Sequence, residues 1–249
     1  MKIAYLDTVG GIAGDMTLGA FVSAGLPLDE ITGELHKLGL QGFELIGKHL
    51  RRSGIDAVHI DVVVSDQPKY HRHLKDIHAL IDNSALSGAV KDRSRAIFAV
   101  IAEAEAKVHG ADIASVHFHE VGAIDSIVDI VGVSICLERC GIERLYSSHV
   151  RLGSGGFVQT QHGTMPTPTP ATLEILRGYP TVLTSIPHEL TTPTGAAIVK
   201  ALSAVSFAVR SVTVTLWVPT DASGIVMSLM TPYAEAFPLR TNLPSYLIS

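Results

Sequence analysis

A helix that is apolar on nearly every side survives in water only if the rest of a chain wraps it, and Ile124 to Cys140 reads as such a helix. Ile127, Val128, Val131 and Ile135 recur at helical spacing, which predicts a mostly buried element. Its polar residues crowd the beginning. The run His117-Phe118-His119-Glu120-Val121-Gly122 leads into it, and Asp125 and Asp129 fall one turn apart on a single face. If His117 to His119 is extended, both imidazoles project from the same side. Two imidazoles and several carboxylates meeting at one corner suit a divalent cation. A strand-to-helix junction whose polar residues only cap the helix would look similar. The density of acidic groups beside an apolar helix face argues for the metal.

Around this helix the pattern alternates. Residues 2–6 read as a short buried strand running into Thr8-Val9-Gly10-Gly11, with a helix from about Asp15 to Gly25. Leu28–Leu38 reads as a second helix, and 43–50 with 57–64 as a hairpin. Helices are expected at 73–81 and 90–108, a strand at 145–152, helices at 171–176 and 193–202, and a strand at 181–185. The Pro/Thr-rich run from Met165 to Pro170 is expected to lack regular structure, because proline removes donors and fixes φ. The expected class is therefore α/β or α+β, a mixed sheet with flanking helices. Beyond Val205 the only charges are Arg210, Asp221, Glu235 and Arg240, and apart from a strand at 212–218 the tail is expected to be irregular and poorly packed.

Composition excludes several classes. With a net charge of -5 and no basic run among aromatics, nothing favours nucleic acid or an anionic membrane. No apolar stretch reaches spanning length, and the short run before Asp7 is no signal peptide, so the cytoplasm is expected. Cys136 and Cys140, four apart on the apolar helix, read as reduced core thiols, with a soft-ligand pair as the second reading. Ser126, Ser154 and Ser185 lack a nucleophile-elbow context.

Four further segments carry chemistry. In Asp7-Thr8-Val9-Gly10-Gly11-Ile12-Ala13-Gly14-Asp15, a strand ends in an acid and a glycine-rich turn opens a helix, so that backbone amides can face phosphate. Asp15 also suits an N-cap. His71, His73 and His78 lie beside Arg72 and Lys75, either as ligands and anion contacts or as a solvated cluster. Gly153-Ser154-Gly155-Gly156, followed by His162-Gly163-Thr164-Met165-Pro166, suits a substrate loop or an ordinary long connection. Last, His188-Glu189-Leu190-Thr191-Thr192-Pro193 ends in a helix start that Thr192 can cap.

In this order, the segments Asp7–Met16, His71-Arg72-His73-Leu74, His117–Gly122 with Asp125–Asp129, Leu152-Gly153-Ser154-Gly155, His162–Pro166 and Glu189–Gly195 resemble the LarC family of nickel insertion proteins. The resemblance covers residues 1 to about 204; the 205–249 tail reads as divergent, truncated or out of frame. It implies an enzyme, a CTP-dependent nickel cyclometallase. Such an enzyme places Ni(II) into pyridinium-3,5-bisthiocarboxylic acid mononucleotide, making the nickel-pincer cofactor used by lactate racemase-type enzymes. CTP binding is attributed to a C-terminal part of the family that this chain does not resemble, so a C-terminal partner fragment, an apo lactate racemase-like acceptor, homo-oligomers and Mg(II) or Mn(II) enter as expectations.

Given such a reaction, residue chemistry supplies roles. His71, His73, His117, His119 and Asp125 are candidate nickel ligands. His119, Glu120 or Asp125 is a candidate base for the ring proton. Asp7, Gly11, Gly14, Asp15, Arg72, Gly153 and Ser154 are candidates for holding the nucleotide. A non-catalytic nickel delivery module and a metal-dependent hydrolase of a phosphorylated small molecule are the alternatives.

Overall fold

A computed structural model of the chain describes residues 2–52, 55–65, 72–118, 122–205 and 224–228. In chain order the elements are β1 (Ile3–Asp7), α1 (Gly14–Ser23), α2 (Leu28–His36), β2 (Phe43–Arg52), β3 (Ile55–Val64), β4 (Arg72–His73), α3 (Leu74–Asp82) and α4 (Gly88–His109). A 3-10 turn at Ile113–Ser115 leads to β5 (His117–Phe118), α5 (Ile124–Arg139), β6 (Arg144–Ser147), β7 (Val150–Leu152), β8 (Phe157–Thr160) and β9 (Gly163–Pro166). The remainder is α6 (Pro170–Ile175), β10 (Thr181–Leu183), α7 (Pro193–Leu202), β11 (Ser203–Val205) and β12 (Gly224–Ser228). Helices and mixed parallel and antiparallel sheets make this an α/β fold, as the alternating pattern predicts.

The apolar helix is at the centre. Along α5, Ile124, Ile127, Val128 and every residue from Ile130 to Leu137 are buried, and the helix packs against α1, α2, α4, α7 and β3. At Gly132 the α1 helix comes so close that an added Cβ would lie 2.9 Å from Leu18 Cδ2. Each Å² of apolar surface that α5 removes from water is worth roughly 25 cal/mol.

Beside the helices lies a four-stranded, all-parallel sheet in the order β11-β6-β1-β12. The chain leaves it early. A single strand is expected over 145–152, but pairing with β1 ends at Ser147, and after Ser148-His149 the chain restarts as β7 beside β10. The break has a polar cause: Ser148 donates its amide to Leu6 O (2.9 Å), and its hydroxyl accepts from Thr8 N (2.9 Å). These bonds turn the chain across the end of β1.

Two expectations change. Residues 157–166 form the β8–β9 hairpin, so the proline run begins with a strand. Pro166 closes that strand at an exposed edge, where a missing donor costs little. In the tail, residues 224–228 form a strand paired with β1 rather than irregular chain. The expected strand at 212–218 lies outside the described residues. Among those residues no helix is long and apolar enough to cross a membrane.

Candidate functional site

Loops that follow parallel strands gather at the strands' carboxyl ends, where α/β folds place their ligands, and here one loop follows β1 while two follow the separate β7–β10 pair. Here three loops are laced by their backbones. From β1 the chain turns at Gly11 (φ 88°), whose amide donates to Thr8 O at 2.8 Å. Ile12 then donates to Leu190 O (3.0 Å) and accepts from Thr192 N (3.1 Å), a parallel bridge between the first loop and the one before α7. The loop after β7 joins the same braid: Ser154 donates its amide to Ile186 O (2.9 Å) and its hydroxyl to Thr184 O (2.6 Å). Such approach needs glycine. A Cβ on Gly11 would lie 1.9 Å from Leu190 O, and one on Gly153 would lie 1.8 Å from His188 O. Three of the chemistry-bearing segments, far apart in sequence, are thus one structure.

Carboxylates line its border. Asp7, half-buried at the end of β1, has its pKa raised by burial, against the opposing pull of the Arg151 guanidinium and a Ser148 hydrogen bond. Burial likewise raises Asp15, at the start of α1, while the Met16 amide and the nearby His59 act the other way. Asp129 is pushed furthest: burial comes first, then Asp15 and Asp125, against one hydrogen bond from the Asp15 backbone. The residue as a whole is half-buried, but its Oδ1 is sealed from solvent and has no hydrogen-bond partner among the described residues.

Asp129 is there because α5 crosses the first turn of α1 with almost no gap. A Cβ on Gly14 would lie 2.5 Å from Asp129 Cβ. Ala13, at the N-cap, has no side-chain bond to offer, so the neighbouring helix supplies the acceptor. Because a carboxylate already takes the Asp15 amide, this helix end is better suited to a cation beside Asp15, Asp125 and Asp129 than to a phosphate.

Other expected site residues divide. Arg72 is buried on β4, where Nη1 donates to Gly122 O (2.7 Å), so it ties β4 to the approach of α5. It also lines an open cleft of about 770 Å³ with Leu40, Asp76, Leu80 and Ile124. The Nδ1 atom of His73 lies 3.1 Å from Val116 O. A carbonyl only accepts, so in the neutral ring Nδ1 carries the hydrogen and Nε2 holds the lone pair. The β4–β5 ladder aligns His73 with His117 and Arg72 with Phe118. Asp125 is exposed in the first turn of α5, with Asp129 one turn below it. His71, His119 and Glu120 lie outside the described residues, as does the His117 side chain. Among the described residues no three His, Cys, Asp or Glu side chains gather where they could hold a metal.

Three groups at the edge were not among the expected site residues. Arg151 is a lone cation between Val150 and Leu152 in a buried strand, which is a readable signal. His59 and Asp61, 2.8 Å apart on the polar side of β3, come near Asp15 only because the hairpin crosses α1, which no local pattern encodes. Cys136 and Cys140 are free thiols whose pKa values burial raises, as expected of core cysteines.

A family model described as nickel insertion protein matches residues 4–216. A Geotalea daltonii protein with a provisional nickel-insertion name is 53% identical over 205 residues, 81% of this chain and 52% of its own. Two relatives are named pyridinium-3,5-bisthiocarboxylic acid mononucleotide nickel insertion protein. The Geobacillus kaustophilus protein is 48% identical over 210 residues, 81% of this chain and 51% of its own. The one from Desulfitobacterium hafniense is 49% identical over 201 residues, 81% and 50% of the two chains. The chain thus spans about half the length of the curated relatives it matches. No solved structure gives a significant match. With the family model covering most of its length, the chain belongs to the nickel insertion protein family.

Proposed function

We propose that this chain takes part in inserting Ni(II) into pyridinium-3,5-bisthiocarboxylic acid mononucleotide, with nickel as a substrate rather than a resident ion. One observation supports the reading: at the α1–α5 crossing Asp129 packs against the start of α1, near Asp15 and Asp125, with its Oδ1 buried and without a partner among the described residues. Nickel ligands are drawn from the segment that joins β5 to α5, namely His117, His119 and Asp125, with His73 from β4 and His71 two residues before it in the sequence. The negatively charged nucleotide lies along the edge over Gly11, Gly153 and Ser154, clear of the acidic start of α1 at Gly14 and Asp15, with Arg72 or Arg151 meeting its phosphate. As the carbon–nickel bond forms, the ring carbon gives its proton to a base drawn from His119, Glu120 and Asp125.

CTP consumption, with Mg(II) or Mn(II) accompanying the nucleotide, belongs to the wider reaction, as do a cytoplasmic setting, self-association, a C-terminal partner fragment and delivery to a lactate racemase-type acceptor. The test is calorimetric titration of Ni(II) with and without the precursor, beside His117→Ala/His119→Ala, followed by assay of CTP turnover. Tight binding lost in the variant, with precursor converted, supports the reading. Nickel binding with no conversion would favour a delivery module. Phosphate release from simple phosphoesters with Mg(II) or Mn(II) would favour a hydrolase.

A further inference from the structure

Two arginines are candidates for the precursor's phosphate, and the fold gives them different surroundings. Arg72 is buried on β4, and its Nη1 donates to Gly122 O at 2.7 Å. That acceptor sits in a tight place: a Cβ on Gly122 would lie 2.8 Å from Phe118 O and 3.5 Å from Arg72 Cβ. Phe118, opposite Arg72 in the β4–β5 ladder, is itself buried beside Phe98, with ring centroids 6.3 Å apart. Gly122 stands three residues before Asp125, and α5 opens at Ile124 behind Ala123, an N-cap with no side-chain bond. The Arg72 bond therefore fixes where α5 starts relative to β4. The next residue on β4, His73, is held at backbone and ring. Its amide donates to Asp76 Oδ2 at 2.8 Å, and its Nδ1 lies 3.1 Å from Val116 O.

Arg151 is half-buried on β7, between buried Val150 and Leu152. Its carbonyl accepts from Thr191 Oγ1 at 2.7 Å, which ties its backbone to the loop braid. Its guanidinium attracts the Asp7 carboxylate and makes no hydrogen bond or ion pair among the described residues. Gly153 and Ser154 follow two and three residues later. For Arg72 to grip a phosphate it would have to release a buried carbonyl and draw a dianion out of water. Arg151 surrenders no described bond and is already at the edge where the nucleotide is placed.

We propose that the two arginines divide the insertion reaction: Arg151 contacts the precursor's phosphate, and Arg72 is a positioning residue that sets His73 against Asp125 for nickel. The division rests on the insertion reading given above. A guanidinium suits either task by its chemistry, so residue type does not separate them. Burial and the Gly122 bond do.

The test measures the affinity for Ni(II) alone and for the metal-free precursor alone, in the full chain and in Arg72→Met, Arg72→Lys and Arg151→Met. Arg72→Met should raise the Kd for nickel about tenfold or more and change that for the precursor by less than about threefold. Arg72→Lys keeps a donor of similar reach and should bring nickel affinity back to within about threefold of the unaltered chain. Arg151→Met should do the reverse, weakening the precursor about tenfold or more and sparing nickel. A general loss of structure would move both affinities together, so the crossed pattern separates positioning from stability. A second measurement needs no variant: adding precursor to the unaltered chain should shift the guanidinium NMR signals of Arg151 and leave those of Arg72 in place. The division is overturned if Arg72→Met spares nickel or weakens the precursor equally, if Arg72→Lys restores nothing, if Arg151→Met spares the precursor, or if the Arg72 signals are the ones that move. An unaltered chain that binds neither nickel nor precursor would sink the insertion reading itself. Binding of both without the crossed pattern would sink only the division of roles.

Discussion

The loop braid and the α1–α5 crossing sit side by side but are built on opposite terms. In the braid the described polar groups of Ile12, Ser154 and Thr192 are paired, backbone to backbone or hydroxyl to carbonyl, and glycines let the chains touch. At the crossing, Asp129 lies within the electrostatic reach of Asp15 and Asp125, and its buried carboxylate oxygen has no described partner. The first arrangement is rigid and chemically quiet. The second holds uncompensated charge, which costs stability unless a proton or a cation answers it. Scaffold and chemistry are thus divided between neighbours.

Removing the closest approach should do most harm. Gly153→Ala and Gly11→Ala, which force a Cβ into a carbonyl, should each lower stability by about 3 kcal/mol or more, read by urea denaturation. A loss below about 1 kcal/mol would mean that the braid yields. At the crossing, Asp125→Ala should weaken Ni(II) binding more than tenfold, about 1.4 kcal/mol, with little change in unfolding because the side chain is exposed. Unchanged affinity would remove Asp125 from the ligands, and the same test applies to His119→Ala.

Asp129→Asn removes the charge but keeps the shape, and should stabilise the metal-free chain by on the order of 1 kcal/mol near neutral pH. The sign can be worked out. The folded pKa of Asp129 is raised, so the unfolded chain releases this proton first as pH increases. The stabilising contribution of the protonated acid is full below the ordinary carboxylate value and fades as pH rises through the folded pKa. The advantage of Asp129→Asn should therefore grow from mildly acidic to neutral pH, and a flat difference would contradict the burial argument. The smallest effect is expected from Ser154→Ala. Losing one hydroxyl bond to Thr184 should cost about 1 kcal/mol and leave the affinity for Ni(II) alone unchanged, whereas a clear drop would mean that Ser154 serves the metal and not only the nucleotide.

What could be read from the sequence follows the same division. Helix α5 was legible because all-round apolarity has one physical outcome, and the β2–β3 hairpin because Val58, Ile60 and Val62 alternate with polar neighbours. Asp7, Asp15 and the pair Asp125 and Asp129 were visible as acids at a strand end and on one helix face. The partners that set their charge were not. Arg151 reaches Asp7 only because the chain breaks at Ser148 and changes sheets, and His59 nears Asp15 only through the crossing of the hairpin over α1. The β8–β9 strands were hidden by proline and threonine, whose local preferences outweighed a short alternating pattern.

The position of β1 has a consequence for how the chain is made. It is made before every other described strand, yet its described partners are residues 144–147 on one side and 224–228 on the other. At roughly 5–20 residues per second, the first of these follows after on the order of ten seconds, while α1, α2 and the β2–β3 hairpin can already condense. Through that interval Ala4 and Leu6, buried in the folded chain, lack their strand neighbours, which leaves β1 an unpaired apolar strand in need of shelter during synthesis.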